Sequence, residues 1–215
     1  MRGCKGLSSD TTTLEVKSVQ EQEHKAVNLI DEIAEKIIGI NDKINRDWAE
    51  DIATALVSTF SFNAISKTKT GAVRPNVWFM YIGTSGAAFK TLPIKYFVMP
   101  VLRHIRNYYN IDLLLPKSFS MEGMVEYLTK KHNYGSGILI RDECSTLFKD
   151  AQKQYGSDIF EFLTELYDGT IQKRYTRKVG LEVVENVYVV FLGMSTPYLY
   201  TVLPEDYFVQ GFSNR

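Results

Sequence analysis

The sequence predicts an α/β fold in which a parallel sheet is flanked by helices. Short, wholly apolar runs alternate with longer segments whose apolar residues recur at helical spacing. The clearest runs are residues 77–82 (VWFMYI), 138–140 (ILI) and 187–192 (VYVVFL). Uninterrupted apolar runs are typical of strands buried on both faces. A polar or glycine-bearing segment follows each run, and in a parallel sheet such segments meet at one edge, where ligands bind.

Composition limits the class of protein. A chain of 215 residues can form one sizeable core plus an appendage. Its formal net charge is zero, so nucleic acid could be bound only through local patches. Cys4 and Cys144 do not make a disulfide framework, and the N-terminus lacks the apolar segment of a signal peptide. No segment has the length and apolarity of a membrane helix. We therefore expect a cytoplasmic protein without a membrane partner.

The N-terminal part of the chain predicts two amphipathic helices. Apolar residues recur at helical spacing from about residue 14 to 39 and again from 48 to 62. A polar, turn-rich segment (KTKTGAVRP) follows them. This pattern divides the chain into an N-terminal helical region, a linker and a core, at residues 1–66, 67–75 and 76–215.

The core then alternates between predicted helices and strands. We expect a helix over 92–108, a short strand over 109–115, and a helix over 121–131 with Ser120 as its N-cap. Two further helices, over 146–155 and 157–167, follow the apolar run at 138–140. A hairpin over 170–184, turning near Gly180, precedes the last strand.

The segment after the first strand reads GTSGAAFKT and has the order of a phosphate-binding loop. A glycine-bearing turn, a lysine, a hydroxyl and a helix N-terminus follow a buried strand. In such loops the backbone N–H groups bind phosphate oxygens, the lysine reaches the terminal phosphates, and the hydroxyl binds Mg²⁺. The candidate nucleotide-binding residues are Gly83, Thr84, Ser85, Gly86, Ala87, Ala88, Phe89, Lys90 and Thr91.

The match to the usual pattern, G-x-x-x-x-G-K-S/T, is incomplete. Counting back from Lys90, the two glycine positions hold Thr84 and Phe89. Gly83 and Gly86 fit only if the loop has one extra residue. A strand–turn–helix unit with an incidental lysine therefore stays open as an alternative.

Two acids follow the apolar run at 138–140. An acid that ends a buried strand beside a phosphate loop can hold Mg²⁺, and an adjacent acid can polarise a water molecule. We assign Asp142, together with Thr91, to the metal and Glu143 to the role of general base. The alternative is a pair of solvated carboxylates at a strand end.

Polar residues also follow the strand at 187–192, in the sequence GMSTP. A hydroxyl at this position could lie between the attacking water and the γ-phosphate, and Thr196 is the first candidate, followed by Ser195. Either hydroxyl could instead cap the next turn. Arg215 could neutralise charge in the site of a neighbouring subunit, or could simply be solvated.

The predicted hairpin is basic. Cations interleaved with an aromatic ring suit nucleic acid, since phosphates pair with the charges and a base can stack on the ring. A solvated hairpin is the alternative. The candidate nucleic-acid-binding residues are Lys173, Arg174, Tyr175, Arg177 and Lys178.

Taken in order, several segments resemble a family of P-loop ATPases found in plasmids, phages and integrated elements, often within primase–helicase proteins. The segments are WFMYIGTSGAAFKT, FSMEGMVEYL, ILIRDE, FLTELYDG, FLGMSTP and GFSNR, and the resemblance covers about residues 48–215. It implies a P-loop NTPase core of the RecA-like type with a catalytic glutamate, using ATP and Mg²⁺. It also implies the roles given above for Lys90, Thr91, Asp142 and Glu143, with Thr196 as sensor and Arg215 as arginine finger. Related hexameric helicases have a DNA-contacting hairpin where the basic hairpin lies here.

The chain departs from this family in two ways. Its loop is longer and poorer in glycine, as in some archaeal members, which puts turnover in doubt. It also ends where a further strand usually pairs beside the loop strand, so we expect a fragment, a truncated gene or completion by another chain.

The sequence therefore predicts a Mg²⁺-dependent ATPase that acts as a helicase-like motor on DNA, in the replication or maintenance of a mobile element, with subunits arranged side by side in a ring. One alternative is a scaffold with a degenerate loop that binds DNA or a partner without turnover. Another is a small-molecule phosphotransferase.

Overall fold

A computed structural model describes residues 28–69, 71–86, 89–130, 135–151, 159–169, 172–176, 180–184 and 187–203. Five predicted site residues lie outside these ranges: Ala87, Ala88, Arg177, Lys178 and Arg215. The side chains of residues 172–184 are likewise outside the description.

Two helices open the described chain, α1 (Leu29–Ile38) and α2 (Arg46–Phe60). Each begins after an asparagine whose side chain accepts a hydrogen bond from the first turn, Asn28 from the N–H of Ile30 and Asn45 from that of Trp48. Such caps satisfy N–H groups that have no partner within the helix. The described part of the N-terminal region thus has the two predicted helices.

The remaining helices follow the predicted order with shifted ends. α3 (Thr91–Pro93) continues through a π-helical turn (Ile94–Val98) into α4 (Met99–Tyr109). The later helices are α5 (Met121–Lys130), α6 (Cys144–Ala151), α7 (Ile159–Asp168) and α8 (Leu199–Val202). The Ser120 hydroxyl accepts a hydrogen bond from the N–H of Gly123 at 3.1 Å, as an N-cap does. None of the helices in these ranges is long and apolar enough to cross a bilayer.

The strands form two hairpins and one sheet. β1 (Ser66–Thr68) pairs with β2 (Gly71–Val73), so the segment expected to be a linker contains a short antiparallel hairpin. β3 (Trp78–Ile82) and β4 (Ser136–Arg141) belong to the sheet. β5 (Gln172–Thr176) and β6 (Gly180–Val184) form the second hairpin, in the predicted place, and β7 (Tyr188–Ser195) returns to the sheet.

The sheet is parallel, and its strand order is β3–β7–β4. β7 extends three residues beyond the predicted run because Gly193, Met194 and Ser195 pair with β3. The predicted α/β architecture, a parallel sheet flanked by helices, is confirmed.

The strand predicted over 109–115 is much shorter in the structure. α4 continues to Tyr109, and Asn110 ends it in the left-handed region at φ 55°. Leu114 then makes a single parallel bridge to Ile138. The N–H of Ile138 donates to the carbonyl of Leu113 at 2.7 Å. The segment therefore runs beside β4 and forms a single bridge in place of the predicted strand.

Two apolar layers cover the sheet, and β7 contributes to both. Tyr188, Val190, Leu192 and Met194 pack with residues of α1, α2 and α4. The residues between them, Val189 and Phe191, pack with α5, α6, α7 and α8. This period of two arises because successive strand side chains point to opposite faces. It explains why the β7 segment is an uninterrupted apolar run.

α6 lies unusually close to β7 at Gly193. A Cβ atom added there would lie 2.7 Å from the Cys144 sulfur and 2.7 Å from a ring carbon of Phe191. Only glycine fits this contact without movement of its neighbours. The contact fixes the start of α6, immediately after Glu143, against the sheet.

Candidate functional site at the carboxyl ends of the strands

The ends of β3, β7 and β4 are joined by hydrogen bonds. The N–H of Gly83 donates to the carbonyl of Ser195 at 3.1 Å. The Ser195 hydroxyl donates to the Glu143 carboxylate at 2.6 Å. Three segments that are distant in sequence therefore meet at one edge of the sheet, as the topology of a parallel sheet predicts.

A cavity of about 310 Å³ lies at this edge. The loop supplies one wall and the ends of β4 and β7 supply the other. The Ser195 side chain is fully buried beneath it. The lining residues are Thr84, Ser85, Gly86, Phe89, Lys90, Thr91, Leu92, Asp142, Glu143 and Thr196.

The ammonium group of Lys90 lies among the strand ends. It donates to the carbonyl oxygens of Gly83 and Ser195, at 2.6 Å each. Burial lowers the pKa of Lys90, and the negative charge of Glu143 opposes part of that effect. The two carbonyl contacts hold a positive charge at the floor of the cavity.

Glu143 is fixed by three donors. One of its carboxylate oxygens accepts from the Ser195 hydroxyl, from the Ser145 hydroxyl at 2.7 Å and from the Ser145 N–H at 3.1 Å. Burial by itself would raise the pKa of Glu143, but these hydrogen bonds and the charge of Lys90 outweigh it, and the pKa lies below the usual value. The carboxylate is therefore ionised at neutral pH.

Asp142 has a different environment. Its side chain is half exposed and forms an ion pair with the ammonium of Lys117. Arg141 donates to the backbone carbonyl of Lys117 and helps to hold this segment in place. The two adjacent acids are therefore unequal, since Glu143 is held by three hydrogen bonds and Asp142 by an ion pair with an exposed lysine.

The loop has a left-handed conformation at two places. Gly86 has φ 79° and Phe89 has φ 45°. For a bulky residue this conformation costs about 1–2 kcal/mol. Phe89 occupies the position at which the usual pattern has glycine, and its backbone adopts a conformation that glycine adopts readily. The ammonium of Lys43 lies 6.0 Å from the centre of its ring.

Trp48 connects α2 to the loop. Its indole N–H donates to the carbonyl of Lys90 at 3.2 Å, and its ring stacks on Tyr81 of β3 at 4.9 Å. The residue is almost fully buried. The N-terminal helices thus support the backbone that carries Lys90.

The donors present suit Mg²⁺. The Thr91 hydroxyl and the Asp142 carboxylate both line the cavity, and oxygen ligands are those that Mg²⁺ prefers. Among the described residues there is no group of three or more His, Cys, Asp or Glu side chains that could hold a metal by themselves. An ion at Thr91 and Asp142 would need phosphate oxygens or water to complete its shell.

A second, larger cavity of about 600 Å³ adjoins the first. Thr91 and Asp142 line both cavities. The walls of the larger one come from α4, α5 and the segment 112–117, and include Ile94, Met99 and Lys117.

The basic hairpin can be placed only by its backbone. Lys173, Arg174 and Tyr175 lie on β5, which pairs with β6 from Gln172 opposite Val184 to Thr176 opposite Gly180. The suggestion that this hairpin binds nucleic acid stays a prediction.

Comparisons of this chain with protein-family profiles, with curated proteins and with solved structures found no match.

Proposed function

We propose that this protein is an ATP-binding, Mg²⁺-dependent P-loop ATPase. The observation that carries the proposal is the convergence of Lys90 and Glu143 on one cavity from strands that are not adjacent. β7 lies between β3 and β4. Two strand spacings of about 4.8 Å separate their ends. Lys90 and Glu143 nevertheless meet at the end of β7, since the Ser195 carbonyl accepts from Lys90 and the Ser195 hydroxyl donates to Glu143.

The loop side of the cavity would bind the phosphates. Backbone N–H groups of residues 84–86 and the ammonium of Lys90 supply positive partial and full charge. The Lys90 ammonium donates two of its three N–H groups to carbonyl oxygens, so the third can turn to a phosphate while the side chain keeps its position. Thr91 and Asp142 would hold Mg²⁺, which when bound neutralises charge on the phosphates.

The opposite side would activate water. Glu143 is ionised and oriented, so it can accept a proton from a water molecule beside the phosphate. Ser195 holds the carboxylate in place and is a positioning residue. The Thr196 hydroxyl lines the cavity beside it and could contact the water or the γ-phosphate.

The proposed biological role is that of a helicase-like motor on DNA, serving a mobile element. It is supported by the sequence resemblance and by the basic composition of the β5–β6 hairpin. In such a motor the active unit would be a ring of subunits, with Arg215 as the residue supplied by a neighbour.

The test is ATP hydrolysis by purified protein with Mg²⁺, with and without single-stranded DNA. Lys90→Ala and Glu143→Gln should each abolish turnover, and Glu143→Gln should retain nucleotide binding because the phosphate contacts remain. Lys149→Ala, which removes an exposed lysine outside the cavity, is the matched control. If nucleotide neither binds nor is hydrolysed, Phe89 and the extra loop residue have broken the site, and the protein is a scaffold.

The larger cavity favours a second candidate, a small-molecule phosphotransferase. An acceptor bound between α4 and α5 would lie beside Asp142 and Thr91. Met99→Trp, which fills this cavity, distinguishes the two functions. A phosphotransferase would lose transfer to its acceptor, whereas an ATPase would keep its hydrolysis rate.

A further inference from the structure

The exposed side of α4 and of the π-helical turn before it is both aromatic and basic. We call the six residues that form it the α4 surface. They are Lys95, Tyr96, Arg103, His104, Tyr108 and Tyr109, and all are exposed. His104 lies eight residues after Tyr96 and four residues before Tyr108, so these three side chains follow one side of the helix.

Three tyrosine rings of this surface are directed to solvent. Tyr96, Tyr108 and Tyr109 are 55%, 74% and 58% exposed. The His104 imidazole stacks on Tyr108, with centroids 5.8 Å apart and planes 15° apart, and Tyr109 meets Tyr108 edge-on at 4.9 Å. Exposed rings that are already ordered by contact with one another form a platform on which a further flat ring can stack.

The charge of the α4 surface has one sign. No aspartate or glutamate occurs between residues 91 and 111. Lys95 and Arg103 form no ion pair with an acid in the part of the chain that the structure describes, and the Lys95 ammonium lies 5.0 Å above the ring of Tyr96. Arg106, at the edge of the surface, lies 3.8 Å from Asp112, and both side chains are exposed to solvent. The surface therefore presents cations beside rings.

We propose that the α4 surface binds single-stranded nucleic acid, with bases stacked on the tyrosines and phosphates paired with Lys95, Arg103 and Arg106. Tyr96 and Tyr108 are 12 residues apart, which in a helix is about 18 Å, or about five stacked nucleotides. The nucleic acid must be single-stranded because the faces of bases in a duplex are covered by the neighbouring base pairs. This site is separate from the basic hairpin, and it rests on the nucleic-acid part of the proposed function but not on ATP hydrolysis.

The composition of the surface favours nucleic acid over a protein partner. Apart from Pro100, the exposed positions between residues 95 and 109 hold no aliphatic side chain. The residues there are tyrosines, cations, His104 and Asn107. Protein interfaces bury aliphatic and aromatic side chains together at their centre, whereas single-stranded nucleic acid needs rings and cations.

The experiment is fluorescence anisotropy with a labelled 20-residue oligothymidylate, without nucleotide, over a range of salt concentrations. Tyr108→Ala should weaken binding about tenfold because a stacked base is lost. Arg103→Gln should make the slope of log affinity against log salt about 0.7 less steep, as expected for one lost phosphate contact on a single strand. Tyr200→Ala and Lys36→Gln, which remove an exposed tyrosine and an exposed lysine elsewhere, should stay within twofold of the parent.

Three results would overturn the proposal: no binding of the oligonucleotide by the parent protein, unchanged affinity and salt slope in both α4 variants, or equal competition by polyglutamate. The last would assign the surface to an acidic protein, since polyglutamate has charge but no bases. Lys90→Ala should bind the oligonucleotide like the parent. If the protein hydrolyses ATP and the α4 variants bind DNA like the parent, only this proposal is contradicted. If the α4 variants lose DNA binding and the parent has no ATPase activity, only the proposed function is contradicted.

Discussion

The two walls of the small cavity are built in different ways. On the side of β4 and β7, Glu143 accepts three hydrogen bonds, and Ser195 is fully buried beneath it. On the loop side, residues 84–86 are exposed, and Phe89 is held in a left-handed conformation. The strand ends fix one group to the core, whereas the loop presents backbone to whatever enters. The sheet therefore fixes the position of Glu143, and the exposed loop is the wall that can adapt to a ligand.

Trp48 is one of the contacts that join the loop wall to the core, and because its ring is buried, its removal should have the largest effect. Trp48→Ala should lower the free energy of unfolding by about 3–5 kcal/mol, since a buried aromatic residue is lost. Urea unfolding measures this change. Phe60→Ala, at an exposed position of the same helix, should cost less than 1 kcal/mol, as is usual at the surface. Equal costs in the two variants would contradict the burial of the Trp48 ring.

The strand wall can be disturbed at the contact between α6 and β7. Gly193→Ala should cost about 1–3 kcal/mol because the new Cβ overlaps the Cys144 sulfur and the Phe191 ring. Combining it with Cys144→Ala removes one of the two clashes, so the double variant should lose less stability than the sum of the single changes. Strict additivity in denaturant unfolding would mean that the two residues are not in contact.

The hydrogen bonds to Glu143 can be tested by pH. Ser195→Ala removes one donor, so the pKa of Glu143 should rise, and carboxyl NMR titration would measure the shift. A carboxylate with a lowered pKa stabilises the fold above its unfolded pKa of about 4.3, and this stabilisation is lost as pH falls through the folded value. The variant should therefore be less stable than the parent at pH 7, and this difference should shrink as pH falls through the folded pKa of Glu143. Thr196→Ala is the control, and an equal pKa shift there would contradict the geometry.

The smallest effect is expected at Phe89. Phe89→Gly relieves the left-handed strain but loses a partly buried ring, so stability should change by about 1 kcal/mol or less. Phe89→Val should be clearly less stable than Phe89→Gly, since a β-branched residue is disfavoured at φ 45°. Thermal unfolding of the two variants measures this difference in stability. Equal stability would show that the loop does not hold this conformation.

The apolar runs at residues 77–82 and 187–192 correctly predict two strands of the sheet. Of these two strands, β7 is buried along its whole length, whereas β3, at the edge of the described sheet, is half-buried. The ends of the elements depend on contacts between distant residues, which the local sequence does not show. α4 runs into the strand expected over 109–115, and pairing with β3 extends β7 to Ser195.

The position of the candidate site was also predictable, since the carboxyl ends of parallel strands must meet. Its supporting residues were not. Trp48 and Lys117 reach the site over long sequence separations that leave no local pattern. Ser145 did have a signal, because α6 starts directly after Glu143, and a helix N-terminus offers its N–H groups to an acid. The predicted helix starts at residue 146, two residues later than α6, so Ser145 lay outside it.

The three hydrogen bonds that orient Glu143 also have a kinetic consequence. A carboxylate whose pKa lies below the usual value binds a proton less tightly, and Brønsted behaviour makes it a slower proton acceptor than a free glutamate. Whatever rate Glu143 gives to a reaction must then come from the fixed distance and direction of its free oxygen rather than from its basicity. In the proposed ATPase, a variant that loosens the carboxylate would gain a stronger base and still hydrolyse ATP more slowly.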